Sequence, residues 1–137
     1  MPHRLRVLLV DDDPTTNFLN KLLLTRLGVS EPVLLAANGE EALCLLAQQS
    51  AEPATRPNLI LLDMNMPVLN GLAFLEAYTQ LPAAVQEAIV IVMLTTSLHP
   101  TDLAKAQQLP IAGFLNKPLT AEKVADLLRE HFDSPNH

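Results

Sequence analysis

Two apolar runs constrain the fold of this chain more than anything else in it. Leu59-Ile60-Leu61-Leu62 and Ala88-Ile89-Val90-Ile91-Val92-Met93-Leu94 carry no polar residue at alternate positions. A strand with one face in water alternates polar and apolar side chains, so runs of this kind belong to strands covered on both faces, as at the centre of a parallel sheet. Residues 5–10, 33–36 and 111–116 read as three further strands. Helix-like segments separate all five, and that alternation predicts an α/β fold with a parallel sheet between two helical layers. At 137 residues the chain fits one domain with a proper core.

Local signals place the helices. Asp13 is a good N-cap and Pro14 a good first helical residue, because the carboxylate accepts a free amide and proline lacks only a donor that would be unsatisfied there. Phe18, Leu19, Leu22, Leu23 and Leu27 recur at helical spacing, and Gly28 can end the helix. Asn38 and Glu41 have the spacing of a capping box for a second helix running to about Gln49. Residues 50–58 form a proline-containing polar loop, expected at the surface and without a chemical role. Asn70-Gly71 starts a third helix with Leu72, Leu75, Ala73 and Phe74 facing inward. Pro100 opens a fourth with Leu103, Ala106 and Gln107, and Thr120 caps a fifth with Val124, Leu127, Leu128 and Phe132 on its apolar side. Cys44, the single cysteine, lies in an apolar pattern and is expected to be a buried thiol.

Composition narrows the function. Fifteen acidic residues against nine basic ones give a formal charge of -6, which argues against an extended nucleic-acid surface. One cysteine rules out a disulfide framework and a cysteine-rich zinc site. The short apolar stretch after the N-terminus contains Arg6 and ends in three aspartates, so neither a signal peptide nor a membrane span is supported, and a cytoplasmic protein is expected.

The chemistry gathers at the strand ends. Asp11-Asp12-Asp13 follow the first strand, Asp63 the third, Thr95 the fourth and Lys117-Pro118 the fifth. In open α/β sheets, ligands bind outside the carboxyl ends of the strands, so these groups converge if the strands are parallel. Several carboxylates with one ammonium suit a hard cation and a phosphoryl group. Magnesium prefers oxygen ligands and keeps several waters. The expected ligands are Asp12 and Asp63, with Asp11 bound directly or through water and the backbone carbonyl of Asn65 as a third protein oxygen. Asp13 is more economically a helix cap. Asp63 keeps one oxygen free to attack phosphorus, while Thr95 and Lys117 can hold phosphoryl oxygens. The Lys117-Pro118 bond is a candidate cis peptide that would turn the ammonium inward.

With Val7-Leu8-Leu9-Val10-Asp11-Asp12-Asp13-Pro14, Asp63-Met64-Asn65-Met66-Pro67 with Gly71, Leu94-Thr95 and Phe114-Leu115-Asn116-Lys117-Pro118 in this order, the chain resembles the receiver domain of two-component response regulators, of the stand-alone type. The resemblance spans residues 4–132 and leaves 133–137 as a short tail. It implies a flavodoxin-like doubly wound (βα)5 fold with a sheet of order 2-1-3-4-5. It further implies magnesium at the first acidic pair and Asp63, and phosphoryl transfer to Asp63 from a sensor histidine kinase or a histidine phosphotransfer protein. Thr95 and Lys117 match the residues that contact the phosphoryl group, and Phe114 matches an aromatic that moves inward on activation. The signal would then leave through a separate effector protein, with Leu98, His99, Pro100 and Phe114 near the output face. The alternatives are a phosphorelay intermediate that passes the group onward and a pseudo-receiver that binds partners without phosphorylation.

Two features depart from the family. Residues 48–58 form a longer segment than usual, and Thr96 stands where a small residue is common, which could slow entry of the hydrolytic water. Other classes fit less well. A phosphohydrolase of the haloacid dehalogenase type needs a second carboxylate where Asn65 stands, and an amide cannot exchange a proton. A dinucleotide-binding domain needs a glycine-rich turn where this chain has three aspartates.

Overall fold

The computed structural model describes residues 5–28, 30–49, 57–63, 71–81, 83, 86, 89–95, 111–117 and 119–131. Five strands, β1 (Leu5–Val10), β2 (Ser30–Ala36), β3 (Leu59–Asp63), β4 (Val90–Thr95) and β5 (Gly113–Asn116), form one sheet of order β2-β1-β3-β4-β5. Every neighbouring pair is parallel, so all five C-terminal ends lie along one edge. This is the doubly wound order that the resemblance implied. Around the sheet run α1 (Pro14–Arg26), α2 (Gly39–Gln49), α3 (Gly71–Tyr78) and a C-terminal helix (Ala121–His131). The expected fourth helix, Leu72 and Phe132 lie outside the residues whose side chains are described.

Central position explains the uninterrupted apolar runs. β3 sits between β1 and β4, and all five of its residues are buried. Its side chains alternate between two cores. Ile60 and Leu62 join Leu8, Val10, Ala42, Leu46 and Phe74 on one face, while Leu59 and Leu61 join Val7, Leu9, Leu24, Val124 and Leu127 on the other. Each such side chain contributes about 1.5–3 kcal/mol by leaving water, so a one-residue slip of β3 would exchange the two sets and spoil both cores. On the first face Phe74 and Tyr78 stack with ring centroids 6.1 Å apart. The Tyr78 hydroxyl donates to the Gln86 carbonyl at 3.3 Å, and burial pushes its pKa up to about 12.

Three sequence expectations need correction. The apolar stripe of α1 is rotated away from the core: Phe18 and Leu19 are each 56% exposed, while Asn17, Asn20 and Leu24 are the buried residues. Cys44 is exposed. α2 turns Ala42 and Leu46 inward, and two residues of helix add about 200° of rotation, so position 44 faces solvent. Finally, the polar loop ends in structure. Pro57 is buried, and half-buried Asn58 joins three strand starts: its side chain accepts from Arg6 N at 2.9 Å, its N–H donates to Arg6 O at 2.7 Å and its carbonyl accepts from Val90 N at 2.8 Å.

The helix caps follow the sequence. Asp13 accepts from Thr15 N at 3.0 Å and from the Thr16 hydroxyl at 2.8 Å. Gly28, with φ of 70°, takes the left-handed conformation that ends α1. At α2, Glu41 N donates to Asn38 Oδ1 at 2.8 Å, and the Glu41 carboxylate reaches back to Ala37 N at 3.0 Å. Among the described residues, no helix is long and apolar enough to cross a membrane.

Candidate functional site

Parallel packing brings the strand-end residues together. β1 delivers Asp11 and Asp12, β3 delivers Asp63, and one carboxylate oxygen from each lies within 4.8 Å of the others. Asp11 and Asp63 are buried and Asp12 is exposed. From the end of β5, the Lys117 ammonium reaches Asp11 Oδ2 at 2.7 Å and Asp63 Oδ1 at 3.3 Å. Main-chain pairing helps to place it, since Lys117 N donates to Thr95 O at 2.9 Å. Thr95 is fully buried at the end of β4, next to β3.

Burial works against charge on Lys117, but the bond to Asp11 and the charges of Asp63 and Asp11 outweigh it, so its pKa is raised and it stays an ammonium. Three carboxylates still face one ammonium, leaving negative charge in excess. The donors are all hard oxygens, with no thiolate or imidazole among them, and this set fits magnesium. Asp13 stands apart as the cap of α1. The hydrogen bonds from Thr16 and from the Thr15 amide lower its pKa, as expected for a carboxylate engaged in capping.

Asp11 is held at four points. Its N–H donates to Ala36 O at 3.1 Å and its carbonyl accepts from Asn17 Nδ2 at 2.9 Å. Its Oδ1 accepts from Asp13 N at 2.9 Å, and its Oδ2 accepts from Lys117. Asn17 did not stand out in the sequence. Its bonds reach a neighbouring strand nineteen residues away, and no local pattern announces such a contact. Phe114, expected as the moving aromatic, is half-buried against the core layer that includes Met93, its partner across β4 and β5. Asn65, Thr96, Leu98, His99, Pro100 and Pro118, including the candidate cis bond, lie outside the described residues.

A doubly wound sheet with an acidic triad and a lysine at the carboxyl ends of its strands defines a narrow class of protein. The family model for the response regulator receiver domain matches residues 7–129, and the chain belongs to that family. It is 31% identical over 121 residues to a probable chemotaxis protein CheY of Rhizobium etli, covering 88% of this chain and 87% of that one. It is 32% identical over 112 residues to the response regulator Rcp1 of Synechocystis, covering 81% and 75%. Among solved structures, a two-component response regulator from Cytophaga hutchinsonii superposes with a TM-score of 0.83 at 29% identity, covering 95% of this chain and 97% of that one. A receiver protein from Dyadobacter fermentans gives 0.82 at 31%, covering 94% and 98%.

Proposed function

We propose that this receiver domain accepts a phosphoryl group on Asp63 from a phosphohistidine, carried by a sensor histidine kinase or a histidine phosphotransfer protein, and so controls a protein-binding face. The observation that carries the reading is the convergence of Asp11, Asp12 and Asp63 on one pocket with Lys117 bridging two of them. In the transfer, an Asp63 carboxylate oxygen attacks phosphorus, a P–O bond forms and the P–N bond breaks. The imidazole nitrogen leaves with the electron pair and is protonated. Lys117 is already positioned against Asp63 and can follow the phosphoryl oxygens as negative charge builds there. Thr95 offers a hydroxyl from the adjacent strand end. Asp12 and Asp63, with Asp11 directly or through water and the Asn65 carbonyl, would hold magnesium, which when bound supplies positive charge against the equatorial oxygens.

Phosphorylation adds about 1.5–2 negative charges at this pocket, enough to draw Thr95 and Lys117 toward Asp63. Movement of Thr95 then gives Phe114 room to pack more deeply, which is the proposed link to the output face and to a separate effector.

Intact-mass analysis with acetyl phosphate and magnesium tests the assignment. One phosphoryl adduct is expected on the wild-type chain and none on Asp63→Asn. Undiminished labelling of Asp63→Asn would place the acceptor elsewhere. In the same preparations, Asp12→Ala should weaken magnesium binding much more than Asp13→Ala, because Asp13 is committed to the cap of α1.

A further inference from the structure

We propose that Asn17 is a positioning residue for the acidic pocket: its carboxamide fixes the peptide unit between Asp11 and Asp12, and through it the direction in which Asp12 presents its carboxylate to a divalent cation. The inference rests on the reading of the pocket given above and adds a residue to it.

Asn17 lies in the second turn of α1 with 5% of its surface exposed. Its Nδ2 donates twice, to Asp11 O at 2.9 Å and to Ala36 O at 3.2 Å. Ala36 ends β2 and pairs with Val10 of β1, and its carbonyl also accepts from Asp11 N at 3.1 Å. One amide group therefore ties α1 to the ends of two neighbouring strands at the point where the chain leaves β1 for the acidic turn. The Asp11 carbonyl belongs to the rigid peptide plane that continues into Asp12 N, so holding its oxygen sets ψ of Asp11 and φ of Asp12 together. Asp12 is the exposed member of the triad, and Asp11 is held by its other contacts in any case. Loss of the Asn17 bond thus acts chiefly on Asp12.

Packing alone is a poor account of an amide here. Among the described residues the Asn17 Oδ1 meets no donor, and burying an unmatched acceptor is a cost that a leucine, branched at the same carbon, would not incur. What a leucine cannot supply is the pair of N–H contacts. Asn20, one turn further along and also buried, has no side-chain hydrogen bond among the described residues, which makes it an internal control.

The test is calorimetric titration of the full chain with magnesium chloride at fixed pH and ionic strength, comparing wild type, Asn17→Leu and Asn20→Leu. Residues that orient metal ligands typically change affinity by 10–100-fold, so Asn17→Leu is expected to bind about tenfold more weakly and Asn20→Leu within about twofold of wild type. Unchanged affinity in Asn17→Leu, or an equal loss in both variants, overturns the proposal. Should Asn17→Leu fail to fold, the wild-type chain decides by NMR. The Asn17 carboxamide signals should shift with magnesium and saturate together with the backbone amides of Asp11 to Asp13, and unmoved signals overturn it. Normal labelling of Asp63 alongside unaltered magnesium affinity in Asn17→Leu removes this inference alone. A wild-type chain that binds no magnesium removes the functional reading with it.

Discussion

Helix α1 and the C-terminal helix cover the same hydrophobic layer, yet they are built on opposite principles. The C-terminal helix buries Val124 and Leu127, half-buries Leu128 and leaves Asp126, Arg129 and Glu130 outside, as an amphipathic helix should. α1 sends Asn17, Asn20 and Leu24 inward and leaves Phe18, Leu19 and Leu22 at the surface. The difference follows from what each helix must hold. α1 begins at the acidic pocket, and its roll about its own axis is pinned by the Asp13 cap and by the two Asn17 contacts to strand-end carbonyls. Rolling α1 by one residue to bury Phe18 and Leu22 would break both. The C-terminal helix has polar ties too, the Thr120 cap and a bond from Lys123 Nζ to the strand-end carbonyl of Asn116 at 2.7 Å, but both are exposed and agree with its apolar stripe, so its inward residues follow packing. Leu19 and Leu23 of α1 instead border a cavity of about 300 Å³ shared with Leu119, Asn20 and Lys117. Side-chain periodicity thus reports the period of a helix, while a neighbouring site can decide its phase.

The sharpest way to break this comparison is to shorten an apolar side chain on each helix. Leu127→Ala should cost about 2–5 kcal/mol, the usual range for emptying a packed leucine site. Phe18→Ala removes a larger side chain, but one that is mostly in water, and should cost less than about 1 kcal/mol. Urea unfolding of the two variants gives both numbers. Comparable losses would mean that α1 buries its stripe in solution after all.

The same contrast shows how far the sequence could be read. Everything governed by near neighbours was legible: Asp13 and Pro14 at the start of α1, Gly28 at its end, the Asn38–Glu41 cap, and the apolar runs of β3 and β4 as central strands. The site was legible because parallel strands turn separate polar residues into one edge, which is how Lys117 meets Asp11 across 106 residues of sequence. The phase of α1 was not, because Phe18, Leu19 and Leu22 form a better apolar stripe than Asn17, Asn20 and Leu24, which are buried instead. Cys44 misled for a related reason: its neighbours are apolar, but it lies opposite Ala42 and Leu46 on the helix. Asn17 was invisible because its partners are main-chain carbonyls, which carry no sequence signature.

A smaller effect sharpens the comparison from the polar side. Asn20 faces inward on α1 without a side-chain hydrogen bond among the described residues. Replacing it with leucine should make α1 resemble the C-terminal helix at this position and stabilise the chain by about 1 kcal/mol, since an apolar side chain would then pack beside Leu19, Leu23 and Leu119 around the cavity that Asn20 borders. Denaturant titration is again the measurement. A loss of stability in Asn20→Leu would show that Asn20, like Asn17, is held in place for a polar partner.

The smallest expected difference concerns the caps, and it is a difference in pH dependence. The C-terminal helix is capped by the Thr120 hydroxyl, which accepts from Lys123 N at 3.2 Å and does not titrate in the acid range. α1 is capped by the Asp13 carboxylate, whose pKa is lowered from 3.8, first by the Thr16 hydroxyl and then by the Thr15 amide. Because the folded state holds the ionised form, it binds fewer protons than the unfolded chain around pH 3.8. The stability contributed by the charged cap is therefore fully present above that pH and is lost as pH falls through the lower, folded-state pKa. Asp13→Asn keeps a capping oxygen but cannot ionise. Wild type should accordingly be slightly more stable than Asp13→Asn at neutral pH, and the gap should close on acidification, while the gap between wild type and Thr120→Asn stays constant over the same range. Thermal melts from pH 6 down to the acid transition can follow both pairs. A wild-type to Asp13→Asn gap that does not narrow would mean that the charge of Asp13 contributes nothing to holding α1, and that the Asn17 contacts set its position alone.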